Sequence, residues 1–165
     1  MRKIILALLV LCAACSKNNN GSTTANFTFT ANDTPKNYTI TASTSSIVDN
    51  TYLLTLAGSS DDTSDPGNLI LNLASPLPFS TGETFSNAII AGTETMQAQL
   101  EYSTFISLPL WQNSLSRVVI RLTSVSGDAI QGTFSAILVD RTDTSTVGST
   151  LAAGQFDAPY TPPTP

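Results

Sequence analysis

Apolar and polar side chains alternate with a period of two along most of this chain. Phe27, Phe29 and Ala31 alternate with Thr28 and Thr30, and Tyr38, Ile40 and Ala42 alternate with Thr39 and Thr41. Met96, Ala98, Leu100 and Tyr102 do the same with Gln97, Gln99 and Glu101. Successive side chains of a strand point to opposite faces, so this period predicts strands with one buried and one wet side. Residues 52–57 and 69–74 are more continuously apolar, as central strands are. Turn-forming residues separate these stretches at 32–35, 59–68 and 80–82.

The clearest unit is a hairpin around Ser126-Gly127-Asp128. A two-residue turn would place Arg121 opposite Phe134 and mix the faces. A three-residue loop pairs Val125 with Ala129, Leu122 with Gly132 and Ile120 with Phe134. Val118, Ile120, Leu122, Ile130, Phe134, Ala136 and Leu138 then share one face, and Arg121, Thr123, Gln131, Thr133 and Ser135 the other. Ala152, Gly154, Phe156 and Ala158 repeat the spacing of Ile130, Gly132, Phe134 and Ala136, an echo too short to make a repeat array. About nine strands and no amphipathic helix predict an all-β domain, an antiparallel β-sandwich or flattened barrel, over residues 26–160. Pro159 and Lys36 are placed to discourage pairing at an open edge.

Outside this domain the pattern changes. Met1-Arg2-Lys3 is basic, residues 4–11 are wholly apolar, and Cys12-Ala13-Ala14-Cys15 follows. A basic start, a short apolar core and small residues describe a secretory signal peptide over 1–14. Its apolar segment, 4–14, has 11 residues, whereas a spanning helix needs about 20. Ala13, Ala14 and Cys15 resemble the bacterial lipobox, with Cys12 standing where leucine is usual. The resemblance implies lipid attachment at Cys15 and hence a membrane as partner. The alternatives are Cys12 as acceptor, behind the bulky Leu11, or an ordinary secreted protein cut near Ala14. Residues 16–25 are polar and rich in Asn, Ser and Thr, as a flexible tether is, and 161–165 form a proline-rich tail without ladder donors at its prolines.

Composition narrows the chemistry. The leader holds two of the seven basic residues, leaving five against twelve acidic ones, a balance that argues against nucleic acid as a partner. With two cysteines, one in the leader and one consumed by lipid, no disulfide framework or cysteine-ligated metal site is expected. The chain has no histidine, so Ser-His-Asp and Cys-His catalysis and histidine-ligated zinc are excluded. Glycine-rich phosphate and dinucleotide fingerprints are missing, and no cofactor is expected. Paired carboxylates are the remaining acid-base option, and a carbohydrate-active hydrolase using such a pair is the alternative to a non-enzymatic domain. Glu83, Glu94 and Glu101 are the only glutamates, with Glu101 on the polar side of a strand.

Two segments carry candidate ligand chemistry. Trp111 is the only tryptophan, in Leu108-Pro109-Leu110-Trp111-Gln112-Asn113. Trp111, Gln112 and Asn113 suit a sugar-stacking or partner-binding edge, since an aromatic face buries area and amides read hydroxyls. The competing reading has this loop fold back and cap the core. The segment 60–68 is dense in oxygen ligands, and Asp61, Asp62 and Asp65 are a weak Ca²⁺ candidate whose spacing fails the EF-hand pattern. Asn26, Asn32 and Asn37 each open an Asn-x-Thr sequon, read here as thread of Thr-rich strands with no glycan implied.

Cys15 with its Asn/Ser-rich tether, the opening Phe27-Thr28-Phe29-Thr30-Ala31-Asn32, Ile130-Gln131-Gly132-Thr133-Phe134-Ser135 and the closing Gly154-Gln155-Phe156-Asp157 together resemble small Bacteroidetes-type lipoproteins that share a domain of unknown function. Asn37-Tyr38 stands where those proteins often have Trp. The resemblance implies an envelope-anchored β domain on the outer membrane and carries over no catalytic residue. Surface-exported lipoproteins of these bacteria often have acidic residues just after the lipidated cysteine; Ser16-Lys17-Asn18-Asn19-Asn20 has none, which favours the periplasmic face. The expected function is a non-enzymatic binding or scaffolding domain in the cell envelope, with a glycan or an envelope protein as partner.

Overall fold

The alternating segments form ten strands, all paired antiparallel, in a computed structural model that describes residues 24–164. The expected signal peptide, Cys15, most of the tether and Pro165 lie outside the described residues. In chain order the strands are β1 (Asn26–Ala31), β2 (Thr34–Val48), β3 (Thr51–Ser60), β4 (Asn68–Ser75), β5 (Thr84–Ser86), β6 (Ala98–Tyr102), β7 (Phe105–Ile106), β8 (Arg117–Val125), β9 (Ala129–Asp140) and β10 (Val147–Pro159). Eight of them close a ring, β10-β1-β2-β3-β4-β6-β7-β9, completed by pairing of β9 with β10. The fold is therefore the barrel of the two expected architectures. One edge of β9 belongs to β10; the other is shared in succession by β8, along Ile130 to Ile137, and by β7, at Val139 and Asp140. Because β7 is two residues long, β8 and its partner β5 complete the wall that β7 leaves short.

Two tight hairpins set the register of the first three strands. Asn32 and Asp33 both have positive φ, as do Asp49 and Asn50. Positive φ at both central residues is the type I′ turn, whose twist matches that of paired strands, and Asn and Asp tolerate it best after glycine. Bulges then adjust the faces. Thr41 is an extra residue between the pairs Ile40–Gly58 and Ala42–Ala57, so Ala42, expected inside, is exposed. Thr123 is an extra residue in β8. The tip therefore pairs Val125 with Ile130 and not with Ala129, while the Leu122–Gly132 and Ile120–Phe134 pairs stand as expected. The two faces of that hairpin are those the pattern predicts.

The lumen is full. Phe27, Phe29, Tyr38, Leu54, Leu56, Leu71, Leu100, Ile120, Leu122, Ile130, Phe134, Leu138 and Phe156 are all buried in one cluster. Phe27 stands edge-on to Phe134, with ring centroids 6.1 Å apart and planes at 88°. The interior of this barrel is thus a packed core and not a ligand cup. The echo between β9 and β10 has a structural reason: these strands pair, and Gly154 lies opposite Phe134 while Phe156 lies opposite Gly132. A Cβ on Gly154 would stand 2.6 Å from the Phe134 ring, and one on Gly132 would stand 2.5 Å from the Phe156 ring. Each ring occupies the space its partner's missing side chain leaves. The echo stops at Ala152, which is exposed, because Ala153 (φ 50°) bulges out of β10 and returns Leu151 to the core.

At the end of the β8–β9 turn the barrel is covered by chain. Tyr160 is buried against Phe79, and its N–H donates to the Asp128 carbonyl. The tail beyond it is more tied than its prolines suggest: Ser43 and Ser45 hydroxyls of β2 donate to the carbonyls of Pro159 and Thr161. Lys36 guards no free edge but pairs with Asp65 of the β3–β4 loop. No helix among the described residues is long and apolar enough to cross a membrane.

Candidate functional site

The 107–116 loop joins β7 to β8, and buried polar groups hold it at its base. Asn87, just after β5, is 1 % exposed. Its Nδ2 donates to the carbonyls of Leu108 (2.6 Å) and Ser116 (3.3 Å), its Oδ1 accepts from Val118 N (3.2 Å), and its own carbonyl accepts from Leu110 N. The Ser107 hydroxyl accepts from Leu100 N at 2.8 Å, and the Ser116 hydroxyl accepts from Leu108 N at 3.0 Å. Asn87 and Ser116 thereby satisfy backbone groups of both stems, and Ser107 ties the first stem to β6. Unmet groups at such depth would each cost about 1–3 kcal/mol.

On this fixed base the tip is exposed and apolar. Trp111 is 73 % exposed, and Leu110 and Leu115 are partly exposed, at 38 % and 42 %. The reading in which this loop folds back to cap the core is overturned by the exposure of Trp111; Phe79, Phe85 and Tyr160 pack together elsewhere. Gln112 is exposed beside it. Asn113 has a different task. Its Oδ1 accepts from Leu115 N (2.8 Å) and Ser116 N (3.3 Å), and its Nδ2 donates to the Thr144 carbonyl. Asn113 thus shapes the loop and fastens it to the β9–β10 connection. That connection lies at the end of the barrel away from the start of β1, since Asn26 pairs with Asp157 and Asp157 with Gln131 near the opposite turn.

The 60–68 segment does not gather its carboxylates. Asp65 pairs with Lys36, Asp61 Oδ2 accepts from the Thr39 hydroxyl at 2.7 Å, and Asp62 Oδ1 accepts from the amide and hydroxyl of Ser64. Among the described residues no three acidic, histidine or cysteine side chains converge as metal ligands would. Hydrogen bonds from Ser64 lower the pKa of Asp62, those from Thr142 lower that of Asp140, and those from Ser145 lower that of Asp143. These shifts run opposite to what a general acid requires. Glu101 is ion-paired with Arg141 at 2.6 Å, and Glu83 accepts from Ser80 N at 3.0 Å. The Asp65 carboxylate raises the pKa of Lys36, and burial, followed by the neighbouring Tyr102 phenol, raises that of Tyr38.

Among known proteins, no family model, no curated protein and no solved structure matches this chain. The site is accordingly read from its own geometry. Of the residues singled out by sequence, Trp111 and Gln112 lie together on an exposed tip, Asn113 supports that tip, and the three aspartates have separate partners. Asn87, Ser107 and Ser116 escaped sequence reasoning. A single buried Asn or Ser outside a regular strand leaves no periodic signal, and its role appears only when the two loop stems meet.

Proposed function

We propose that this chain is a lipid-anchored cell-envelope protein whose barrel is a non-enzymatic binding or scaffolding domain. It is held to the outer membrane through Cys15, with the periplasmic face favoured, and it offers the 107–116 loop to an envelope protein. The observation that carries the binding role is Trp111, 73 % exposed on a loop whose stems are fixed by Asn87, Ser107 and Ser116. Leaving a tryptophan and part of two leucines in water forgoes burial energy, and a fixed aromatic loses little entropy when a partner covers it. The anchoring rests on the lipobox-like Ala13-Ala14-Cys15 and on the likeness to small Bacteroidetes-type lipoproteins. The loop lies at the far end of the barrel from the start of β1, the end a lipid at Cys15 would not crowd.

A photo-crosslinking amino acid at Gln112, in the full-length chain and in the cells that make it, tests this. A discrete protein adduct is expected from Gln112 and not from the exposed Thr63 in the β3–β4 loop, and Trp111→Ala should abolish it. Equal labelling at both positions, or none at Gln112, would overturn the loop's role. Cys15→Ser should release the protein from the membrane fraction; continued retention would overturn the anchor.

A further inference from the structure

The outward face of β1, β10, β9 and β8 carries polar side chains in two ranks that cross all four strands. Thr28, Gln155, Thr133 and Arg121 are successive cross-strand partners. The adjacent rank runs Asn26, Asp157, Gln131 and Ser124, with the bulged Thr123 beside it. Between these ranks lies a hollow of about 590 Å³, floored by Gly132 and Phe156. A second hollow of about 240 Å³ lies across the Thr133–Gln155 rank and continues past Arg121 to Ser135 and Ala153, so the two together make a trough that runs along β9 and β10 and crosses the ranks. Ala153 is the bulged residue of β10, so the irregularity that ends the β9–β10 echo also shapes this extension.

The lining defines what the trough can hold. Hydroxyls and primary amides both donate and accept, which matches a ligand whose own groups are hydroxyls. No lysine or arginine borders the larger hollow and Arg121 is the one cation of the smaller, so the trough offers no row of cations to a phosphate chain. Asp157 is the larger hollow's one charge, and Oδ2 of Asp157 already accepts from Gln131 Nε2 at 3.0 Å, which fixes both side chains. An extended peptide cannot add as a strand here, because β9 and β10 are paired along both edges. Residues 131, 133 and 135 of β9 step along the trough at about 7 Å per rank, so the groups repeat along a line as those of a linear polymer do. The ladder and the Gly–Phe interlock beneath keep that line rigid. We infer that this trough binds a neutral oligosaccharide chain lying along β9 and β10. This site is separate from the Trp111 loop and does not depend on it.

Calorimetric titration of the full chain in detergent with four soluble neutral polysaccharides, xyloglucan, galactomannan, mannan and laminarin, tests the assignment. Binding to at least one is expected. The double variant Thr133→Ala/Gln155→Ala, changed only at exposed positions, should keep its melting temperature and bind about tenfold more weakly through the loss of two hydrogen-bonding groups. Trp111→Ala should bind unchanged. No binding to any of the four, undiminished binding by the double variant, or binding lost with Trp111→Ala would each overturn the trough as the site.

Discussion

Phe134 and Trp111 are both large aromatics, yet the molecule treats them in opposite ways. Phe134 lies over Gly154, edge-on to Phe27, with its surroundings tailored to its ring. Trp111 is held out in water by a loop whose polar base is as buried as the core itself. The contrast separates two uses of apolar surface. In β9 and β10 it is spent on closing the barrel. In the 107–116 loop Asn87, Ser107 and Ser116 lie buried beneath a tip that stays exposed. Under the proposed function, Trp111 on that base is the contact residue.

The largest effect should come from the closed side. Phe134→Ala empties the space facing Gly154 and should cost about 3–5 kcal/mol, read as a lower denaturant midpoint with a similar m-value. A loss below 1 kcal/mol would show that the Gly–Phe interlock is not what holds the seam between β9 and β10. Asn87→Ala should have an intermediate effect, about 1–3 kcal/mol, because the Leu108 and Ser116 carbonyls and the Val118 amide lose a buried partner. It should also lower the fluorescence anisotropy of Trp111 as the loop base loosens. Lost stability with unchanged anisotropy would mean that Asn87 serves the barrel and not the loop. Trp111→Ala should be smallest, within about 0.5 kcal/mol of the parent protein, as exposed positions usually are. A large loss of stability there would collapse the contrast and make Trp111 part of the core.

The sequence disclosed more about the walls than about the site. Strand faces were legible wherever alternation ran for several residues, as in β1, β8 and β9, since burial on one side imposes the period directly. About nine strands were expected and ten are found; β5 and β7, with three and two residues, are too short to show any period. Bulges at Thr41, Thr123 and Ala153 moved Ala42, the tip of the β8–β9 hairpin and Ala152 away from their expected places. A bulge inserts one residue without changing the composition around it, so alternation alone does not reveal it. For Trp111 the sequence offered two environments, and the structure has it exposed.

By itself the sequence determined the all-β class, the inward faces of the long strands and the exclusion of histidine-dependent chemistry. These follow from local periodicity and composition, which need no knowledge of distant neighbours. Only the tertiary structure decided that the sheet closes on itself, that Gly132 and Gly154 each receive the other strand's phenylalanine, and that Trp111 faces water. It also aligned Thr28, Gln155 and Thr133 across β1, β10 and β9. The physical reason is the same in each case: pairing and burial between segments as far apart as β1 and β10 depend on register, and register is settled by bulges and by side chains meeting across strands.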